Sequence, residues 1–370
     1  KGCYYYNVFG SHLTAAPGSP LHNSADEIDY ITGDMGANTQ RSLLVFDFIM
    51  NGDLDWEIDG NAVAFAAGLQ YRQDDVTNKN YGDARCADNK PCQPELHFLP
   101  MTYDSANENK NYAFFGEVSL PVSENLDVDL GVRYEDYDVD DITVPKISAF
   151  YKMSDTLALR ASYEEVFRTP IIPNAIDTSL ERVYGEYYEV QTPIPTDLQP
   201  ESSDNINLGL IWTPVDGMRV NLDYYSLDMV DPIGKVSTTS PLAVYNCADG
   251  TSYNPPAAKP DSCNLINITT AAINGEGIET DGLDFQMMYD FETSMGQAQV
   301  GFNGVYLLSY DIGGCLTAGC DKYDAAGKYN TRAGGSPIRV RSMPELKMNF
   351  MASLFNGPHY MRAFVRYVSD

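Results

Sequence analysis

The fold is read from Leu126-Asp127-Val128-Asp129-Leu130-Gly131-Val132-Arg133-Tyr134-Glu135. Residues 126, 128, 130, 132 and 134 are apolar or aromatic, and those between them are charged or glycine. Successive side chains of a strand point to opposite faces, so this segment predicts a strand with one apolar and one polar face. The same split recurs outward in both directions. Val63, Phe65, Ala67, Leu69 and Tyr71 alternate with Gly68, Gln70 and Arg72. Leu157, Leu159, Ala161 and Tyr163 alternate with Arg160, Ser162 and Glu164. Ile206, Leu208, Leu210 and Trp212 oppose Asn205, Asn207 and Gly209, and Met218, Val220, Leu222 and Tyr224 oppose Arg219, Asn221 and Asp223. Leu283, Phe285, Met287 and Tyr289, then Leu346, Met348 and Phe350, continue the pattern, which makes about a dozen strands legible.

A soluble sandwich also alternates, but it has no reason to alternate its connections. Short turns are predicted near Asn51-Gly52-Asp53, Pro121 to Glu124, Lys152 to Asp155, Pro214 to Gly217 and Phe355 to Pro358. Long irregular segments lie between them, at about residues 73–110, 165–200, 228–277 and 311–342. Short turns at one end and long loops at the other mark a transmembrane barrel. Tyr134, Tyr163, Trp212, Tyr224, Tyr225, Tyr289 and Tyr310 fall near strand ends, where interfacial aromatic girdles form. The expected fold is therefore all-β: an antiparallel transmembrane β-barrel with long extracellular loops and short periplasmic turns.

Composition agrees. Hydrophobic residues make up 44% of the 370 and charged residues 21%, which suits neither a disordered chain nor a helical membrane protein. The longest apolar stretch, Leu43 to Met50, is broken by Asp47 and falls short of the ~18 residues a spanning helix needs. A membrane protein of this kind has to close a sheet, because hydrocarbon offers its backbone no other partner. A net charge of −28 argues against nucleic acid, whose phosphates require clustered Lys and Arg. It fits acidic loops that keep molecules apart, or a surface that repels polyanions or holds divalent cations.

Six of the seven cysteines fall into close pairs, Cys86-Cys92, Cys247-Cys263 and Cys315-Cys320, each in a segment rich in Asn, Asp, Gly or Pro. With only four scattered histidines, zinc sites are a poor account, and local disulfides in exposed loops are the better one. Cys3 is left over, and a partner upstream of residue 1 is expected. No signal peptide is visible, and Tyr367-Val368-Ser369-Asp370 ends in mid-pattern, so residues 1–370 are read as a piece of a longer protein.

Ordered blocks then carry a resemblance. Tyr112-Ala113-Phe114-Phe115-Gly116-Glu117-Val118 precedes Leu120-Pro121, and Gly131 to Glu135 precedes Tyr137. Pro145-Lys146-Ile147-Ser148 follows, and Leu159 to Tyr163 leads to Phe167-Arg168-Thr169-Pro170. Leu198-Gln199-Pro200-Glu201-Ser202-Ser203-Asp204-Asn205, Leu208-Gly209-Leu210 and Gly277 to Asp284 complete the order. Over roughly residues 56–370 this series resembles the barrel of TonB-dependent receptors, and over the first ~50 residues it resembles them less. The resemblance implies a plugged barrel of about 22 strands in a Gram-negative outer membrane. It also implies energy-coupled import of a scarce solute: a siderophore, cobalamin, an oligosaccharide or a peptide. The implied partners are outer-membrane lipid, the solute, and an inner-membrane TonB complex acting through a plug. The plug, the first strands and the C-terminal strands would lie outside this chain.

Loop aromatics Tyr184, Tyr187, Tyr188, Tyr245 and Tyr253 are the candidate ligand contacts, since rings offer large area at small entropic cost. Arg160, Arg168 and Glu201 are candidate contacts to a plug or the lumen, with a local salt bridge the competing reading for an Arg and a Glu at loop bases. Asp136, Asp138, Asp140 and Asp141 could hold calcium, but the Gly and terminal Glu of a standard calcium loop are missing and a solvated turn is preferred. No phosphate loop, His-Glu-x-x-His helix or nucleophile elbow is present, so no enzyme, metal or cofactor is expected. A passive porin or surface adhesin, and a secreted soluble sandwich, are the competing functions.

Overall fold

The computed structural model describes residues 7–10, 13, 15–82, 104–137, 140–169, 176–195, 197–255, 260–313, 322–328 and 343–369. A helix, α1 (Ala25–Ile31), comes first. A capping box closes its start: Ser24 Oγ accepts from Glu27 N at 3.2 Å, and Ser24 N donates to Glu27 Oε2 at 2.6 Å. Then come β1 (Met35–Ile58), β2 (Asn61–Gly82), β3 (Ser105–Ser123), β4 (Leu126–Tyr137), β5 (Asp141–Lys152) and β6 (Leu157–Arg168). Two shorter strands, β7 (Ile176–Val183) and β8 (Glu186–Pro193), precede β9 (Glu201–Trp212) and β10 (Met218–Val230). The next connection holds β11 (Ile233–Lys235), β12 (Val244–Cys247), β13 (Ser252–Tyr253), β14 (Leu265–Thr269) and β15 (Ala272–Asn274). Finally come β16 (Ile278–Thr293), β17 (Gly296–Ile312), β18 (Tyr323–Asp324), β19 (Leu346–Asn356) and β20 (His359–Val368).

One antiparallel sheet runs β1-β2-β3-β4-β5-β6-β9-β10-β16-β17-β19-β20, with β18 paired to the side of β17. Strands β1 and β20 are its edges and do not pair with each other. Directly opposed residues share a face, so the register tests the alternation. Leu159 opposes Leu210, Leu210 opposes Leu222, and Leu222 opposes Phe285. One position along, Arg160 opposes Gly209, Gly209 opposes Asp223, and Asp223 opposes Asp284. At this level of the sheet the two rows stay on opposite faces across all four strands.

The apolar face is uncovered. Leu208 and Val132 are each 52% exposed, and Leu130, Ile147, Leu222 and Phe350 are exposed beside them. Among the described residues the other sheets are small and belong to the long connections, so no second layer packs on this face. Burying one such side chain is worth about 1.5–3 kcal/mol, and a contiguous wall of them in water would not persist. That overturns the soluble sandwich and requires hydrocarbon. Tyr71 and Tyr112 (ring centroids 5.0 Å apart), Tyr163 and Tyr224 bound the apolar band at the long-loop end. Tyr163 donates to Glu165 Oε1 at 2.8 Å and Asp204 Oδ1 at 3.0 Å, and Tyr224 donates to Asp281 Oδ1 at 2.8 Å. Ring below and carboxylate above mark where hydrocarbon gives way to water.

Several expectations need correction. Asn51-Gly52-Asp53 lies within β1, with Gly52 opposite Phe65; the turn is Asp59-Gly60, at φ 51° and 76°. Both pairs carry turn chemistry, but only the second leaves the alternation of β1 and β2 in register, and an irregularity between Asp53 and Glu57 absorbs the misfit. The loop expected at 73–110 is shorter, because β2 and β3 run past the membrane band. The segments at 165–200 and 228–277 are not irregular but contain seven strands, β7–β8 and β11–β15. Tyr225 and Tyr310 are not girdle residues. Tyr225 opposes Asn207 and Gly282, and Tyr310 opposes Thr280, which places both on the polar face. Nor is that face wholly polar: Phe150 opposes Arg160, Val166 follows Glu164 at the same parity, and Leu227 opposes Asn205.

Placing a charge in the apolar band should be costly and on the other face cheap. Leu208→Arg is expected to lose about 2–4 kcal/mol of folding stability in a bilayer, while Asn207→Arg loses under about 1 kcal/mol. Urea titration of the lipid-reconstituted protein reads both.

Candidate functional site

The polar wall is organised by ion pairs that reach over an intervening strand. Arg160 on β6 donates from Nε to Asp223 Oδ1 at 2.9 Å and from Nη2 to Asp223 Oδ2 at 2.7 Å, on β10. Between them on β9 lies Gly209, and a Cβ there would overlap both Asp223 Oδ1 and Arg160 Nε. Glycine normally weakens a strand interior, and here its missing side chain is the channel for a bidentate bridge.

A second knot ties the outer rim. Arg168 Nη2 donates to Glu201 Oε1 at 2.7 Å, and its Nε pairs with Oε2. The same Oε1 accepts from Ile233 N at 2.6 Å, so a buried carboxylate joins the ends of β6 and β9 to the start of the next long connection. A third carboxylate, buried Glu135, accepts from Asn111 Nδ2 at 2.9 Å, from Arg133 Nε and from the Tyr137 hydroxyl. Arg133 Nη2 also donates to Gln70 Oε1 at 3.1 Å. Arg133, Glu135, Tyr137, Lys146, Glu164 and Arg168 line a cavity of about 580 Å³ on this wall. It combines fixed charge with the rings of Phe115 and Phe167.

Above the rim the two long connections fold into one body. Strands β13-β12-β14-β8-β7 form a five-stranded sheet in which β14 runs parallel to β8, Ile268 opposite Val190. Tyr188, Val190, Ala243, Tyr245, Leu265 and Ile268 form its core together with the Cys247–Cys263 disulfide (Cα–Cα 5.2 Å). The buried hydroxyls of Thr192 and Thr270 meet at 2.6 Å. Asn274 clamps the base: its Nδ2 donates to Gln199 O at 2.9 Å and Asp231 O at 2.8 Å, while its Oδ1 accepts from Gln199 N at 2.9 Å.

The structure sorts the sequence candidates. Cys247-Cys263 is a disulfide, whereas Cys3, Cys86-Cys92 and Cys315-Cys320 lie outside the described residues. Tyr245 is 2% exposed and Tyr188 is buried beside it, so both rings pack the loop core; burial pushes the Tyr188 phenol up to about 12, with the Glu186 carboxylate adding to the shift. Tyr253 stacks edge-on against Tyr245 at 5.2 Å. Tyr184 and Tyr187 are 54% and 57% exposed and are the two rings that face solvent. Tyr184 adopts φ 51° in the β7–β8 turn, directly before Gly185 at φ 90°. Arg160, Arg168 and Glu201 all stand in local ion pairs. Asp138 lies outside the described residues, and among those described no three His, Cys, Asp or Glu side chains gather as metal ligands. Sequence reading missed Asp223, Glu135 and Asn111. Glu135 and Asp223 were visible on the polar side of their strands and Asn111 was not, and which strand lies across from each was hidden in all three cases.

With this geometry in hand, comparison with known proteins is informative. Residues 3–370 match the family model of the TonB dependent receptor-like β-barrel, so the chain belongs to that family of Gram-negative outer-membrane proteins. Among solved structures, a variant of the ferric enterobactin receptor PfeA from Pseudomonas aeruginosa, in complex with enterobactin, superposes with TM-score 0.61 at 14% identity, covering 89% of this chain and 42% of that one. The siderophore receptor PirA from Acinetobacter baumannii gives TM-score 0.56 at 14% identity, covering 86% and 40%. PirA from Pseudomonas aeruginosa gives 0.57 at 11%, covering 90% and 50%. The chain thus spans half or less of these relatives. Comparison with curated proteins gives no match.

Two substitutions separate wall from loop body. Gly209→Val is expected to cost about 1–3 kcal/mol of barrel stability by overpacking the bridge, read by urea unfolding. Cys247→Ser is expected to cost the loop body about 3 kcal/mol. Amide exchange should then accelerate in β12 and β14 and stay unchanged in β9 and β10.

Proposed function

We propose that the chain is the barrel portion of an active importer whose plug lies outside residues 1–370, and that its cargo is a ferric siderophore. The observation that carries the reading is the mixed character of the inner wall. Phe150, Val166, Leu227 and Val305 are exposed there at 42%, 43%, 38% and 39%, next to the paired charges of Arg160, Asp223, Arg168 and Glu201. A water-filled pore would have to hydrate those apolar groups, whereas a folded stopper covers them and meets the ion pairs with its own polar groups. The reading therefore favours a plugged importer over a passive porin, and makes Arg160, Arg168 and Glu201 wall contacts of that plug.

Two further points support the cargo. The superposing proteins are, by their own descriptions, a ferric enterobactin receptor and two siderophore receptors. In this chain Tyr184 and Tyr187 stand exposed on a disulfide-locked body above the rim, a rigid place to hold a solute before it reaches the lumen. Release inward would then require work from an inner-membrane TonB complex acting through the plug.

The test uses cells carrying the full-length gene. Uptake of radiolabelled iron chelated by siderophores is expected to depend on the receptor and to stop when a protonophore collapses the inner-membrane gradient. Uptake that survives the protonophore, or steady ion conductance of the full-length protein in planar bilayers, would overturn the proposal. Tyr184→Ala with Tyr187→Ala is expected to weaken siderophore binding about tenfold or more, by equilibrium titration.

A further inference from the structure

Strands β17, β19 and β20 depart from the charge of the rest of the chain. Residues 296–310 and 346–368 hold no Asp or Glu, in a sequence whose net charge is −28. Their charged side chains are Lys347, Arg362 and Arg366. Strand pairing turns all three to the polar face. Lys347 opposes Val305, which opposes Asp284 in the row of Asp223 and Arg160. Arg366 and Arg362 oppose Asn349 and Ser353 at the same parity. Arg41, Arg133, Lys146, Arg160 and Arg168, on this same face, each pair with an Asp or Glu of the wall. Among the described residues no carboxylate pairs with Lys347, Arg362 or Arg366. Arg366 leans over β19 and donates to Asn349 Oδ1 at 3.3 Å, and Arg362 donates to Ser353 Oγ at 3.1 Å, so both meet neutral oxygens. Lys347 has a strand on each side, and the residues opposite it, Val305 and Val368, are apolar.

The three cations run along the strands and not across them. Lys347 is level with Val368, and at about 3.3 Å per residue the stretch from there to Arg362 covers roughly 20 Å of the wall. Rings lie among the charges. Phe355 and Tyr360 pack with centroids 4.8 Å apart, the Arg362 guanidinium stands 5.4 Å from the Tyr360 ring, and Phe364 is exposed between Arg362 and Arg366. Towards the long loops, Lys347 borders a hollow of about 500 Å³ with Asn349, Asn303, Gln286 and Asn221. The carboxylates of that hollow, Asp223 and Asp284, lie on the β10 and β16 side, and Asp223 is held by Arg160. A wall lined by one sign of charge concentrates the opposite sign beside it, and guanidinium groups among rings suit a planar anion.

We propose that this strip is the side of the lumen along which the cargo passes inward, and that the cargo is an anionic ferric chelate. The inference rests on the import reading given above. Ion pairs closed within the wall leave no charge for a ligand. Unmatched cations in file along the direction of transport give an anion a succession of sites, each weak enough to be left for the next. A plug resting on the strip would have to bring carboxylates of its own, and the test separates that occupant from the cargo.

Cells carrying the full-length gene are given radiolabelled ferric enterobactin, an anionic chelate, or ferrioxamine B, a cationic one. Import of the anionic chelate alone is expected. Lys347→Glu with Arg366→Glu is expected to slow that import about tenfold or more, while equilibrium binding at the cell surface changes by less than about twofold. Lys347→Arg with Arg366→Lys keeps the import rate. Should the charge-reversed protein not reach the outer membrane, Lys347→Gln with Arg366→Gln is expected to show the same split with a smaller loss. Undiminished import by the charge-reversed protein, or import of the cationic chelate, overturns this inference and leaves the import reading standing. So does a reversal that opens steady ion conductance in planar bilayers without slowing import, since the strip would then hold the plug. Import of neither chelate removes the siderophore reading, and this inference with it.

Discussion

Everything in this molecule follows from one requirement: a backbone in hydrocarbon must satisfy its N–H and C=O groups within itself. An antiparallel sheet does so strand by strand, and the twelve-strand path from β1 to β20 is that ladder. Once the ladder is fixed, side chains have two directions only. Along the membrane band of β6, β9, β10 and β16, leucines such as Leu159, Leu210 and Leu222 take the one that meets lipid, while Arg160, Asp223 and Asp284 take the other. A register slip of one residue would exchange the two sets along a whole strand, so alternation and pairing enforce each other.

The polar wall shows how such a sheet is stiffened without a second layer. In a sandwich, facing sheets interdigitate; here Arg160 reaches across β9 to Asp223, and Glu201 gathers Arg168 and the backbone of Ile233. These pairs are partly solvated, and each alone is worth little. Their consequence is geometric: they hold neighbouring strand ends and the base of a loop in one arrangement. The loop body above has a separate source of order, an apolar core around Tyr245 and Ile268 closed by a disulfide. Barrel and loop body thus draw on different physics, lipid and ladder for one, burial and a covalent link for the other.

Where sequence reading failed, the reason was local ambiguity. Asn51-Gly52 and Asp59-Gly60 carry equal turn chemistry, and only pairing with β2 and β3 selects the second. Tyr225 and Tyr310 sit near strand ends like the girdle tyrosines, but their parity sends them inward, where Tyr225 lies over Gly282. The connections at 165–200 and 228–277 lack alternation because their strands are short, and the pairing that joins the two connections, Val190 with Ile268, spans about 80 residues of sequence. Such partnerships leave no periodic trace.

The sequence by itself determined the class of fold and the two faces of β2, β4, β6, β9, β10, β16 and β19, because period-two alternation is a property of neighbours along the chain. It also placed Cys247 with Cys263 and singled out Arg160, Arg168 and Glu201. Only the tertiary structure decided the partners: that Arg160 meets Asp223 over a glycine, that Tyr188 and Tyr245 turn inward while Tyr184 and Tyr187 turn outward, and that two loops make one body. Partner choice depends on which strands come to lie side by side, and that order is set by closing distant segments on one another, a cost and a reward that no single stretch of residues records.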